Sequence, residues 1–276
     1  MKDKLRLPVS ITFDDGRIIQ YENYFSILND FSLRASFYVV TGWIGEPGFI
    51  RLNEIIDLWN HKNEIGSHTH THVRLSTLSE KEIESELQKS KSLLKTFNCT
   101  TFAYPFGDYS DDVIRHTKKY YIAARTYTTL SPEEGKFRYN QDIETQRYQL
   151  RAFPIEHACS PEAAVLISLP LPKFKKMIER IVVQGIENKA WTIFVFHGST
   201  KYDLRCVVRT LFSRRSLHAV RSVGEMLASM RPRLHKDELM KFRWMCEFLA
   251  SNESVNVLPV AEAMNYMTKH QSIGAR

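Results

Sequence analysis

The sequence predicts an α/β fold built on a parallel sheet, open or closed into a barrel. Three observations carry this. β-rich runs alternate with helical stretches along most of the chain, with no repeats and no low-complexity linkers. One run, Trp191 to Phe196 (WTIFVF), is nearly all apolar, as expected of a strand buried on both sides. Residues able to do chemistry recur at the C-terminal ends of the predicted strands, where sites in such folds gather.

The elements follow in order. Val9, Ile11 and Phe13 alternate with polar residues and read as a strand that ends at Asp14-Asp15-Gly16. Tyr24, Ile27, Leu28 and Phe31 have helical spacing. Ser36 to Thr41 is a β-rich run, and Asn53 is placed as the cap of a short helix carrying Ile55, Ile56 and Trp59. A short strand covers Glu64 to Ser67. The helix from Ser79 to Phe97 opens on a capping box, Ser79 and Glu82. Ile83, Leu87, Ser90, Leu94 and Phe97 line one face of it, with only Ser90 polar. Thr101 to Tyr104 is a strand, Ser110 caps a helix reaching about Tyr120, and Tyr121 to Arg125 is a strand again. Between Thr126 and Ser160 the pattern lapses apart from a strand at Gln149 to Phe153, and long loops of this kind tend to be functional. Helices are predicted at Pro161 to Leu169, Lys173 to Asn188, Ser216 to Met230 and Lys236 to Ala250. A last strand at Val255 to Leu258 and a helix from Pro259 complete the chain.

Length and composition narrow the classes. The 276 residues suit one large domain, and 43% hydrophobic content supplies a sizeable core. No apolar run is long enough to span a bilayer. The charged start, Met1 to Arg6, has no signal-peptide apolar region, so a cytoplasmic location is expected, although a secreted chain trimmed of its signal would look the same. Cys99, Cys159, Cys206 and Cys246 are scattered as reduced core thiols are, with no CxxC motif. The net charge is +7, with basic clusters at Lys173, Lys175 and Lys176, at Arg205 to Arg221 and at Arg231 to Arg243. These read as solvated helix faces, or as attraction for an anionic sugar conjugate. No nucleic-acid recognition motif accompanies them.

The chemistry starts from the two adjacent acids. Strand side chains alternate faces, so Asp14 and Asp15 are able to divide the labour, one holding a metal and the other moving a proton. After Glu64-Ile65-Gly66-Ser67 comes His68-Thr69-His70-Thr71-His72. His68 and His72 share one face if this segment is a helical turn, and all three histidines align if it is extended. Two imidazoles and a carboxylate with open positions describe a catalytic metal site. Such a metal acidifies a water, the remaining acid takes the water's proton, and His197, at the end of the apolar strand, is placed to protonate a leaving group.

The order TFDDG, H-x-x-x-H, x-x-P-x-G and an apolar strand ending in histidine resembles the polysaccharide deacetylases, the NodB-homology domain of carbohydrate esterase family four. Ala35 to Val39 (ASFYV), Glu64 to Thr69 (EIGSHT) and the closing strand and helix, Val257 to Tyr266, resemble the family as well. The resemblance runs from about Pro8 to Tyr266. It implies a single catalytic domain over 1–276, with insertions at about 127–149 and 201–233, folded as a distorted (β/α) barrel of fewer than eight strands. It also implies a metal-dependent hydrolase that removes acetyl groups from N-acetylated sugars in a polysaccharide or glycoconjugate. Similar proteins open cyclic amides or cleave O-acetyl esters, and a carbohydrate-binding protein on the same scaffold is a third reading. By position the resemblance makes Asp14 the base, Asp15, His68 and His72 the ligands of a divalent metal, usually zinc, and His197 the acid. Phe106 would hold the oxyanion through its backbone N–H, Pro105 and Gly107 would shape that loop, and Tyr104, Pro105 and Gly107 would bind substrate.

Two departures from the family pattern stand out. Ala103 occupies the place of an arginine that pairs with the base, and Arg125, at the end of the next strand, is the candidate to supply that charge. The Asp-x-x-Asp-Trp run that orients the acidic histidine is missing, with Arg151 to Pro154 roughly in its place. Asp142, Glu144 and Glu156 are open alternatives for its role.

Overall fold

The computed structural model describes residues 6–127, 137–155, 167, 169–198 and 236–274. The strands are β1 (Leu7–Phe13), β2 (Ser36–Val39), β3 (Glu64–Ser67), β4 (Thr101–Ala103), β5 (Ala123–Tyr127), β6 (Leu150–Pro154), β7 (Thr192–Phe196) and β8 (Val255–Val257). β1 to β7 close into a parallel barrel of seven strands, with β7 returning to β1 and β1 to β2. Closure between β1 and β2 is brief, Thr12 and Phe13 against Ser36 and Phe37. The lower half of β1 pairs with β8 instead, Leu7 to Val9 against Val255 to Val257.

Helices cover the outside: α1 (Ser26–Asp30), entered through a π-helical turn at Gln20–Phe25, α2 (Leu52–Asn60), α3 (Glu80–Leu93), α4 (Asp111–Thr117), α5 (Ile143–Gln146), α6 (Leu171–Glu187), α7 (236–251) and α8 (Val260–Gly274). The period-two alternation of the strands sorts residues into two cores. Val9, Ile11, Phe13, Phe37, Phe102 and Phe194 face the helices. Tyr38, Ala103, Ala123, Ala152, Trp191, Ile193 and Val195 fill the interior, and Val260, Ala263, Met264 and Met267 of α8 join them as a plug. Fully burying the valine, isoleucine and methionine side chains among them is worth about 1.5–3 kcal/mol each. Glu64 ties the plug to the barrel by accepting the Ala261 N–H (3.0 Å) and the Ser36 hydroxyl (2.6 Å).

Several boundaries move. The helix expected from Ser79 to Phe97 stops at Leu93 and tightens into a 3-10 turn at Lys95–Phe97. Its one polar core position is explained, since Ser90 shares a buried hydrogen bond with Ser67 (2.7 Å). Asn53 lies inside α2, which Arg51 caps. β5 starts and ends two residues later than expected, which brings Tyr127 into the barrel wall. The helix expected at Ser216 to Met230, the insertion at 201–233, Cys159 and Cys206 lie outside the described residues, as does most of the segment from Pro161 to Leu169. Cys99 and Cys246 are buried free thiols. Lys173, Lys175 and Lys176 lie along α6, outside the barrel wall. Among the described residues, no helix is long and apolar enough to cross a membrane.

Candidate active site

The site sits at the C-terminal mouth of the barrel. The alternation that points Ser10 and Thr12 inward carries on to Asp14, which is fully buried (0%). The chain then turns through two left-handed residues, Asp15 (φ 77°) and Gly16 (φ 72°), and this turn swings Asp15 onto the rim. Glycine takes that conformation freely and aspartate tolerates it. Gln20, from the π-helical turn, donates its side-chain amide to the carbonyls of Asp14 and of His197 (2.8 Å to the latter), stapling the ends of β1 and β7 together.

His68 and His72 converge, but no helical turn brings them together. The segment after β3 is an irregular loop with Thr69 (φ 67°) and His72 (φ 59°) left-handed. The Thr69 hydroxyl accepts the His72 N–H (2.9 Å), and Glu86 accepts the N–H groups of His70 and Thr71 (both 2.9 Å). His70 points away and meets Thr41 (3.0 Å).

Asp15, His68 and His72 offer three donor atoms that lie within 4.8 Å of one another. Asp15 Oδ1 stands 3.8 Å from His68 Nε2 and 3.5 Å from His72 Nε2. Ligands about 2.1 Å from a tetrahedral metal are separated by about 3.4 Å, so the set fits a divalent ion. His68 Nδ1 donates to the Ala103 carbonyl (2.8 Å), which leaves the Nε2 lone pair facing the cluster. Burial, with His72 nearby, pulls the His68 pKa from 6.5 down to about 3, and burial lowers His72 as well. Burial alone would raise Asp15, but His197, Arg17, His68 and His72 outweigh it and hold the carboxyl at about 2. The donors are therefore neutral imidazoles and an ionised carboxylate, the forms a metal needs.

This has a consequence for stability. Between its ordinary value of 6.5 and about 3, the unfolded chain protonates His68 while the folded chain does not. Stability of the metal-free protein is expected to fall as pH drops through that window. Thermal melts in chelator, from neutral pH to about pH 4, measure the slope, which His68→Asn should flatten.

Arg125 crosses the barrel from β5, fully buried, and its Nη2 meets Asp14 Oδ1. Its guanidinium also lies 4.9 Å over the Tyr38 ring. Burial lowers its pKa to about 10, so it stays charged at neutral pH. Asp14 Oδ2 accepts the Tyr127 hydroxyl (2.9 Å) and stands 3.9 Å from both His68 Nε2 and His197 Nε2. Phe106 is exposed (46%) beside His72, with its ring 4.7 Å from the imidazole and its backbone at φ 59°. Gly107 (φ 64°) leaves room for Tyr127, since a Cβ there would stand 2.5 Å from the tyrosine ring.

Tyr104 is a correction. It directly follows β4 and points outward, fully buried in the helix-side core, with its hydroxyl on the Tyr148 carbonyl (3.1 Å), so it does not line a substrate loop. Pro105 is buried as well. Asp142 and Glu144 are exposed at α5, ahead of β6 and hence at the far end of the barrel from His197, where Asp142 caps its own helix. Glu156 lies outside the described residues. Two neighbours of the site carried no motif. Arg17 places Nε and Nη2 on Asp15 Oδ2 (both 3.0 Å), leaving Oδ1 to the histidines. Tyr127 is the other, and the alternation Ala123, Arg125, Tyr127 is the signal that would have found it.

Residues 2–124 match a family model described as polysaccharide deacetylase. A gellan lyase from Bacillus sp is 32% identical over 151 residues, 53% of this chain and 6% of the relative. A poly-beta-1,6-N-acetyl-D-glucosamine N-deacetylase from Staphylococcus aureus (strain MSSA476) is 33% identical over 132 residues, 40% of this chain and 44% of the relative. The chain thus spans less than half the length of either. The peptidoglycan deacetylase PdaC from Bacillus subtilis shares the fold, with a TM-score of 0.55 at 13% identity over 99% of this chain and 98% of the other. The stretch that matches the polysaccharide deacetylase model, just under half of the chain, holds the acid pair, both histidines and the Pro105 loop.

Proposed function

We propose that the protein is a metal-dependent carbohydrate deacetylase that hydrolyses the N-acetyl group of an N-acetylhexosamine unit in a glycan. One observation carries the reading. A buried acid paired with a cation, Asp14 with Arg125, adjoins both a three-donor metal set and His197 at a single barrel mouth. A metal-binding protein with no hydrolytic role has no need of the acid and the second histidine.

Asp15, His68 and His72 would hold the ion, most simply Zn2+, given two imidazoles and one carboxylate. When bound, it supplies Lewis-acid polarisation and acidifies a water. Asp14 takes the proton of the attacking water, and Arg125 keeps Asp14 anionic and aimed across the barrel, the part the arginine missing at position 103 would play. His197 protonates the amine as the C–N bond breaks. The Phe106 backbone N–H, on its left-handed turn, offers a donor to the carbonyl oxygen as charge builds there.

The named activity of the staphylococcal relative favours β-1,6-linked N-acetylglucosamine as the first substrate to try. The test is acetate release from a panel of poly-β-1,6-N-acetylglucosamine oligomers, chitin oligomers, peptidoglycan fragments, nucleotide-linked N-acetyl sugars and acetylated xylan. Acetate from an N-acetylated member supports the reading. Release from acetylated xylan alone would convert it to an esterase.

A further inference from the structure

Resting on that reading, we propose that the Tyr127 hydroxyl is a proton relay that resets the acid–base pair between turnovers. The hydroxyl stands 2.9 Å from Asp14 Oδ2 and 3.1 Å from His197 Nε2. Those two atoms are 3.9 Å apart, too far for a direct hydrogen bond. The tyrosine oxygen is therefore the group that joins base to acid. The other oxygen of Asp14 is occupied by Arg125, so Oδ2 is the one left to carry a proton. Asp14 is fully buried, and this hydroxyl is the hydrogen-bond partner of that oxygen.

Hydrolysis leaves the pair in the wrong states. Water gives its OH to the acetyl carbon and its proton to Asp14. The C–N bond breaks, and the nitrogen receives the proton of His197. One turnover thus ends with Asp14 protonated and His197 neutral. The relay moves one proton back. The Asp14 O–H bond breaks as its proton passes to the tyrosine oxygen, and the tyrosine's own O–H bond breaks as its proton passes to Nε2. Asp14 is again a carboxylate, His197 again an imidazolium, and Tyr127 is unchanged. No electrons are exchanged and no co-reactant is needed.

The hydroxyl is well placed to persist through the cycle. Its ring lies against Gly107 and 5.6 Å from the Arg125 guanidinium. Tyr127→Phe retains those ring contacts and deletes only the relay atom. A hydroxyl that merely positioned His197 would slow every turnover, the first included. A relay is needed only from the second turnover on.

The experiment compares wild type and Tyr127→Phe, both zinc-loaded, on the best substrate of the acetate panel. With enzyme in excess, the variant is expected to release its single acetate within about 3-fold of the wild-type rate. In steady state and dilute buffer, its kcat should fall about 100-fold, the scale of one positioned proton transfer, and KM should fall with it, leaving kcat/KM near the wild-type value because the first turnover is untouched. A burst of one acetate per site should precede the slow phase, and rising concentrations of imidazole buffer should restore kcat. Parallel loss of single- and multiple-turnover rates without buffer rescue would overturn the relay, as would an unchanged kcat. A wild-type enzyme that releases no acetate from any substrate would remove the deacetylase reading itself, a result distinct from either.

Discussion

Arg125→Met is expected to cost about 3–5 kcal/mol of folding stability, because it leaves the Asp14 carboxylate buried without its partner charge. Both side chains are fully buried, so solvent does not soften the loss. Tyr127 still donates to Asp14 Oδ2, but a neutral donor does not replace a cation. Asp14→Asn with Arg125→Met should cost clearly less than the two single changes summed, since no lone charge remains. Guanidinium-chloride denaturation of the four proteins measures the coupling. A more specific outcome follows from the register. Ala103 and Arg125 are directly paired on β4 and β5, so both side chains stand at the same height inside the barrel. Ala103→Arg in the Arg125→Met background should therefore recover part of the stability by restoring the cation from one strand away. In the wild-type background the same change should destabilise, as a second arginine crowds a filled interior.

The second large effect concerns the three donors. Asp15→Asn or His68→Ala is expected to lower Zn2+ affinity by at least about 100-fold, beyond the 10- to 100-fold typical of losing an outer partner. Arg17→Ala should fall within that smaller range, because Arg17 holds Asp15 Oδ2 while the ligand face is Oδ1. Competition titration against a chromogenic chelator ranks the variants without any substrate. Equal effects for Arg17→Ala and Asp15→Asn would show that Asp15 does not ligate.

Much of this site was legible in the sequence because its residues end strands. Asp14, His68, Arg125 and His197 each follow or close a run whose alternation could be read, and the barrel brings strand ends to one mouth. What was not legible lies in the loops. The spacing of His68 and His72 admits a helical turn or an extended run, and the real device is neither: a pair of left-handed residues held by Thr69 and Glu86. The resemblance puts Tyr104 in the substrate loop, whereas the alternation continuing from β4 sends its side chain outward into the helix-side core. Tyr127 was missed because β5 was ended two residues early, and a boundary error of that size hides an inward side chain. Arg17 has no periodic signal at all, since it acts from a turn.

The central claim is that one barrel mouth joins a metal to an acid–base pair for deacetylation. Its most direct test is acetate release from N-acetylglucosamine oligomers by chelator-stripped protein, before and after one equivalent of Zn2+. The account predicts no release without the ion, release on adding a single equivalent, and none from Asp15→Asn at that same equivalent. Equal acetate from stripped and zinc-loaded wild-type protein would contradict it.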